Sequence, residues 1–316
     1  MKKYLSILFI GVAGFVSAQQ ISLNSQYLFN EMLVNPGAAG SKDFVPIQLS
    51  FRKQWVNFPG SPTTQALSAH GEVGKNMGFG GTVFNDVAGP SRRTGLNTNA
   101  AYHLQLDRRG DHQLGLGLGL SLTQHLIDVN MLTTYLPDDP AVLRGYNNQF
   151  VPDANVGVFY HFKDKGFAGL SAYNLVELRR DLYDFGNPFY NPLVRTYYFL
   201  GGYEFELSPS FDLKTTALVQ MIETFTTQFD VTALGTYKKV LWLGVSYRHL
   251  DAVAFMAGAQ AGPVRFGYSY DYTLSDIGNY SSGSHEVFLE LQLSTKNGGN
   301  KTPWSKRNRI FSPKTK

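Results

Sequence analysis

The sequence predicts an all-β chain: a transmembrane antiparallel β-barrel of about fourteen strands, with short periplasmic turns and long extracellular loops. Three observations carry this expectation. Side chains alternate with a period of two from residue 47 to 294, the period of a strand with one buried and one differently solvated face. The alternating runs are about 9–13 residues long, enough to cross a bilayer at a tilt. Their connectors also alternate between tight turns and long, irregular loops, as they do in outer-membrane barrels.

In chain order, the first eighteen residues read as a secretory leader. Lys2 and Lys3 form a positive start, Tyr4 to Phe15 an apolar stretch, and Val16-Ser17-Ala18 a small-residue cleavage site before Gln19. The expected location is therefore the cell outer membrane after cleavage near Ala18. Residues 19–46 follow as a lead-in with no single period. In LFNEMLVNPGAAG, residues 28 to 40, two asparagines, an Asn-Pro step and a Gly-Ala-Ala-Gly run interrupt any helix or strand. Pro36 lacks a donor, and Asn30 and Asn35 offer side-chain amides to a turn-rich backbone. This piece is expected to cap the periplasmic mouth or to tuck into the lumen.

The strand candidates lie near 47–55, 63–72, 77–85, 92–106, 112–123, 153–162, 166–173, 195–207, 211–221, 226–237, 240–249, 254–261, 264–272 and 285–294. In HQLGLGLGLSLTQ, Leu114, Leu116, Leu118, Leu120 and Leu122 share one face, and Gly115, Gly117, Gly119 and Ser121 the other. In RFGYSYDYT, Phe266, Tyr268, Tyr270 and Tyr272 oppose Arg265, Ser269 and Asp271. Tyr197, Phe199, Tyr203, Phe205 and Leu207 oppose Glu204 and Glu206, and Val287, Leu289, Leu291 and Leu293 oppose Glu286 and Glu290. The tight turns are VGKN, DRRGD, KDK, SPS, YKK and GP; the long loops include 124–152, 174–194 and 273–284. An even strand count returns the chain to its starting side, so the tail from 295 to 316 is expected in the periplasm. A fourteen-stranded bore lies between filled eight-stranded barrels and open porins. Loop 124–152 or segment 19–46 is therefore expected to occupy it.

Composition agrees. The chain has no cysteine, which excludes a disulfide scaffold, and 32 glycines, 18 tyrosines and 23 phenylalanines suit an aromatic, turn-rich sheet. Mean hydropathy is −0.17, and no apolar run after Ala18 reaches the roughly 20 residues of a spanning helix. Of 28 basic residues, two fall in the leader and seven in Ser294–Lys316, leaving 19 against 24 acids between them. The body is thus mildly acidic, and no basic face points to nucleic acid. A secreted sandwich or propeller is the soluble alternative. The aromatics near strand ends and the lack of a blade-length repeat weigh against it.

No catalytic, cofactor or metal site is expected. GLGLGL lies inside a strand with no helix after it, so its glycines read as a crowded inner wall rather than a phosphate loop. His70, His103, His112, His125, His161, His249 and His285 have no ligand spacing and read as lumen-facing or solvated. Glu204, Glu206, Glu286 and Glu290 are expected to line a polar lumen with Arg265 and Arg248 as basic partners. Arg92 and Arg93, beside Asp86 and Asp111, read as strand-end charge. No Ser/His/acid set converges in sequence, which disfavours a lipase-type barrel.

The motifs LFNEMLVNPGAAG, FRKQWVNFPGSPTTQ and GFGGTVFNDVAGPSRRTGL together resemble the PorP/SprF family of outer-membrane proteins, linked to the type IX secretion and gliding machinery of Bacteroidetes. The residues that carry the resemblance are Phe29, Asn30, Asn35, Pro36, Ala39 and Gly40, then Gln54, Trp55, Gly60, Pro62 and Thr64, then Asn85, Asp86 and Gly89. PDANVGVFY and GLSAYNL extend it along the chain. Gly37-Ala38 departs from the family's usual alanine-aromatic pair, so the contact of that ring is expected to be missing. The resemblance implies a non-enzymatic barrel supporting secretion or surface attachment of a large adhesin. Its partners would be outer-membrane lipid and the periplasmic and outer-membrane parts of the machine. The basic tail, with Lys301, Trp304, Lys306, Arg307 and Arg309, is a candidate docking arm for an acidic periplasmic partner. A substrate-specific channel or porin-like uptake protein is the other reading.

Overall fold

A computed structural model describes residues 25–74, 76–128, 131–132, 148–163, 165–176, 194–222 and 227–294. The leader, most of loop 128–147 and the basic tail lie outside these. Fourteen antiparallel strands close into one barrel in simple chain order. They are β1 (Phe44–Lys53), β2 (Thr63–Glu72), β3 (Met77–Ala88), β4 (Ser91–Gln105), β5 (His112–Ile127), β6 (Asn148–Phe162) and β7 (Gly166–Tyr173). Then come β8 (Thr196–Ser208), β9 (Phe211–Ile222), β10 (Thr227–Tyr237), β11 (Leu241–Arg248), β12 (Ala252–Ala261), β13 (Val264–Thr273) and β14 (Ser284–Ser294). Strand β1 closes the barrel on β14, in register from Phe44 opposite Ser294 to Lys53 opposite His285. Closure leaves no unpaired sheet edge, which a membrane requires.

Burial is inverted relative to a soluble protein. The exposed residues are apolar: Leu49, Leu67, Leu96, Leu118, Leu120, Leu170, Leu243, Phe255 and Leu289 stand on the outer wall. The buried ones are largely polar: Gln48, Arg52, His70, Asn99, Asp153, Asn155, Gln220, Asp230, Arg248, Asp271, Glu286 and Glu290 all point inward. An apolar outer belt with a polar interior is what lipid outside and a sealed hydrogen-bonded sheet dictate.

The six turns at one end are tight, and left-handed residues close five of them, among them Gly74 at φ +79° and Gly110 at +70°, with Lys238 and Lys239 at +48° and +58°, the conformation hairpin turns need. At the other end the connectors vary more than the sequence suggests. Gly89 and Pro90 alone join β3 to β4, since β3 runs to Ala88 and β4 starts at Ser91. Strands β5 and β6 continue into the expected 124–152 loop, which shrinks to 128–147, because Gln124, His125 and Leu126 still pair with Phe150, Gln149 and Asn148. Strand β1 begins at Phe44 and ends at Lys53, so Gln54 and Trp55 belong to the loop after it.

Candidate functional site: the occupied lumen and the loop-side rim

Three short 3-10 turns, Ser25–Leu28, Glu31–Leu33 and Pro36–Ala38, place residues 27–40 inside the barrel. Pro36 opens the last of them, and the Asn35 side chain accepts from the Gly37 amide at 2.9 Å, a cap the Asn-Pro-Gly sequence supplies locally. The same asparagine turns outward as well. Its Nδ2 donates to the carbonyls of Val158 on β6 and Leu170 on β7, at 3.0 and 3.2 Å.

Glycine makes this seat possible. A Cβ at Gly117 would overlap the backbone of Pro36 and Gly37, one at Gly157 the Asn35 side chain, and one at Gly78 the Ala39 carbonyl. Gly115 and Gly117 of GLGLGL are therefore part of the floor on which the lead-in lies. Glycine at 37 follows from the same approach, since a Cβ there would stand 2.8 Å from the Gly115 carbonyl and 3.0 Å from the Phe159 amide. Two histidines clasp the end of the segment. His103 Nε2 donates to the Ala39 carbonyl at 2.8 Å, and His70 Nδ1 accepts from the Gly40 amide at 3.0 Å, which fixes the tautomer of each ring.

The rest of the segment crosses to the opposite wall. Asn30 Nδ2 donates to Ser68 Oγ on β2 at 2.6 Å. Phe29 packs on Trp242 of β11 and Phe288 of β14, with centroids 4.8 and 5.0 Å away, and the Arg265 guanidinium lies 5.3 Å from its ring. Tyr27, Leu28 and Val34 join Phe159, Leu218, Leu234 and Met256 in one apolar cluster. Burial, and next the Asp230 carboxylate, push the Tyr27 hydroxyl up to about 12.

Glu31 ties the segment by charge. It meets Lys42 at 3.1 Å and Lys214 of β9 at 3.6 Å, while those ammonium groups also donate to the Phe29 and Leu28 carbonyls. Burial alone would raise its pKa, but the two lysines outweigh burial and hold it down to about 2, from 4.5. A depressed carboxylate stabilises the fold above its unfolded value, and that contribution is lost as pH falls toward the folded one. The lead-in is thus expected to loosen between pH 4.5 and 2. Limited pepsin digestion across that range should show cleavage within residues 25–40 appearing on acidification, and Glu31→Gln should flatten the dependence.

Toward the loop end stands a buried charge network. Arg52 reaches Asp271 at 2.7 Å and Glu286 at 3.0 Å; Arg248 reaches Asp230 at 3.2 Å, Asp251 at 3.1 Å and Asp271 at 3.5 Å. Arg265 pairs with Glu290 at 3.2 Å. Of the two arginines expected beside the inward glutamates, Arg265 thus meets Glu290 and Arg248 meets aspartates, while Arg52, brought alongside by barrel closure, meets Glu286. Of the other inward glutamates, Glu206 sits 3.6 Å from Lys165. Arg93 pairs with Asp86, but Asp111 lies at the turn end beside Lys163, at 3.9 Å, a barrel length from Arg93. Among the described residues no group of three or more histidines and acids could hold a metal.

The family-motif residues thus divide between two places. Phe29, Asn30, Asn35, Pro36 and Gly40 lie in the lumen, while Gln54, Trp55, Gly60, Pro62, Asn85, Asp86 and Gly89 meet at the loop-side rim. There the Gly89 amide donates to the Gly60 carbonyl at 2.8 Å and the Gln54 amide to the Pro62 carbonyl at 2.9 Å. Asp86 accepts from Thr64 at 2.7 Å, and Asn85 from Arg92 at 2.8 Å. Trp55 and Asn57 hold left-handed backbones, φ +48° and +72°, and the loop is strapped to the β13–β14 connector through Val56 and Gly283 at 2.8 Å. Lys301, Trp304, Lys306, Arg307 and Arg309 lie outside the described residues. His70, His103, Ser68 and Lys214, which grip the lead-in, carry no local sequence pattern; only their inward parity pointed to the lumen.

A membrane β-barrel whose own N-terminal segment lies within its bore is the class these observations define. The family model for "Type IX secretion system membrane protein PorP/SprF" matches residues 16–291, and the chain belongs to that family of outer-membrane barrels. No curated protein matches it. Among solved structures it is similar to the CymD monoaromatic hydrocarbon channel, at 12% identity over 87% of this chain and 94% of that one, TM-score 0.49. The Ralstonia pickettii toluene transporter TbuX is similar at 8% identity, covering 83% and 92%, TM-score 0.49. The P. putida toluene transporter TodX follows at 10%, covering 84% and 94%, TM-score 0.48. Likeness at this level has no bearing on what this chain binds or passes.

Proposed function

We propose that the chain is a non-enzymatic outer-membrane part of the type IX secretion and gliding machinery, an embedded anchor rather than a pore. The observation that carries this reading is the lead-in, which joins β2, β4, β5, β6 and β7 to β9, β11 and β14 across the lumen. A barrel sealed in this way offers two faces for protein contacts. The loop side faces outward and supports secretion or attachment of a large adhesin. The turn side and the basic tail face the periplasm and meet the machine's other components.

The runner-up is a substrate-specific channel, which the polar inner wall favours. Planar-bilayer recording separates the two. Purified wild-type protein is expected to give no stable conductance; large, steady single-channel steps would favour the channel.

A further inference from the structure

The outer wall is not uniform around its loop-side edge. Along β9 to β13 the outward residues at that edge are Met221, Thr227, Phe229, Tyr247, Val253 and Tyr272, an uncharged sector, half of it aromatic, of the usual interfacial kind. From β14 to β4 the edge changes character. One register row runs His285, Lys53, Thr63, Val87, Arg92 across five neighbouring strands. Lys53 continues the outward face of Leu49 and Phe51, and Arg92 that of Leu96.

Neither cation has a carboxylate partner among the described residues. Lys53 donates to the Ser61 carbonyl at 2.9 Å and Thr63 Oγ1 at 3.0 Å, leaving one ammonium hydrogen. Arg92 donates only Nε, to Asn85 Oδ1, leaving the two terminal nitrogens of its fork. Asp86, next to Val87 in the chain, is taken by Arg93 on the inner side. Beside Lys53, and reaching along the row to Val87, the register partner of Arg92, opens a cleft of about 390 Å³ that Phe58, Pro59 and Met131 line together with the polar Asn57, Ser61 and Thr63. Phe58 and Met131 remain 38% and 61% exposed in it.

A paired surface cation needs no explanation, but two unpaired ones on the lipid-facing side do, because burial against hydrocarbon is costly without an anion. They sit where the apolar belt ends, the level of lipid headgroups. Three interstrand steps of about 4.8 Å separate their strands, a span of roughly 14 Å. Arginine's planar fork suits phosphate oxygens and lysine adds a point charge. We propose that this sector binds a phosphorylated lipid of the outer leaflet, its phosphates on Lys53 and Arg92 and an apolar portion in the cleft.

The placement in the outer leaflet rests on the loops-outward reading above; the binding itself can be read in detergent, apart from any conductance or secretion. Native mass spectrometry of the purified barrel with added lipid A carrying two phosphates should retain one lipid. Lys53→Gln with Arg92→Gln should lower retention at least tenfold while heat-modifiable gel mobility stays that of a folded barrel. Lys53→Arg with Arg92→Lys, which keeps both charges, should retain it, and should do so even if the glutamine pair fails to fold. Lys238→Gln with Lys239→Gln, at the turn end, should change nothing. Equal retention of dephosphorylated lipid A, equal retention by the folded glutamine pair, loss in the turn-end variant, or displacement by equimolar inorganic phosphate would overturn the proposal.

Discussion

Gly117→Val is expected to open the barrel. The valine side chain would enter the space held by the Pro36 and Gly37 backbone, and neither side can yield cheaply. On the wall, Gly117 pairs with Ala101 on β4 and Gly157 on β6, so the strand cannot move away without breaking two ladders. On the other side the lead-in is pinned by Asn35 to β6 and β7 and by His103 and His70 to β4 and β2. Overpacking of this kind costs about 1–3 kcal/mol or more, comparable with the few hydrogen bonds that seat the turn. The lead-in should leave its place while the fourteen-strand ladder, closed by its own pairing, stays closed. The check is planar-bilayer recording: steady conductance steps in the variant where the parent has none. Gly119→Val is a useful contrast. Its Cβ would meet the Asn99 and Asn155 side chains rather than the lead-in, and the bore should remain blocked.

The second large effect concerns the charge network. Arg52→Met removes a cation whose side chain is only 3% exposed, facing carboxylates 2% and 0% exposed. Asp271 keeps Arg248 at 3.5 Å, whereas Glu286 loses its 3.0 Å bond. Removing one partner of a buried ion pair typically costs about 3–5 kcal/mol. The effect should be greatest where β1 meets β14, because Arg52 and Glu286 are register partners across the closure. Urea unfolding in detergent micelles should show the loss, and Arg52→Met with Glu286→Gln should recover much of it, since the double change removes both charges of the pair.

Much of the barrel could be read from the sequence because a strand's two faces are written in consecutive residues. The leucines of 114–122 and the aromatics of 266–272 declare an outer wall without reference to any other strand. The strand number followed, and the polar inner face with it. What could not be read was long-range. Arg52 stands in FRKQW with no acid near it; its partners are 219 and 234 residues away and meet it only because the last strand returns to the first. Of the two basic partners expected for the inward glutamates, Arg265 meets Glu290 and Arg248 meets aspartates. The lead-in was legible as an awkward piece and as a family motif. Its seat was not, since the atoms that hold Asn35 are backbone carbonyls of Val158 and Leu170, which no side-chain pattern advertises. The glycine floor was visible as small residues on an inner face, but only the fold says what presses against them. Loop lengths erred at β5 and β6 because Gln124, His125, Asn148 and Gln149, polar enough to suggest a loop, continue the ladder beyond the apolar belt.

The central claim is that residues 27–40 lie inside the barrel, and the absence of native cysteine makes a direct measurement clean. Asn30→Cys with Ser68→Cys replaces two side chains in contact at 2.6 Å, one on the lead-in and one on the inner wall of β2. Mild oxidation of intact cells carrying this variant should give an intramolecular disulfide, seen as a faster band on a non-reducing gel that reverts with reductant. Asn30→Cys paired with Leu67→Cys, on the outer wall, should give none. A lumen-side pair that stays reduced in folded, membrane-inserted protein would contradict the account.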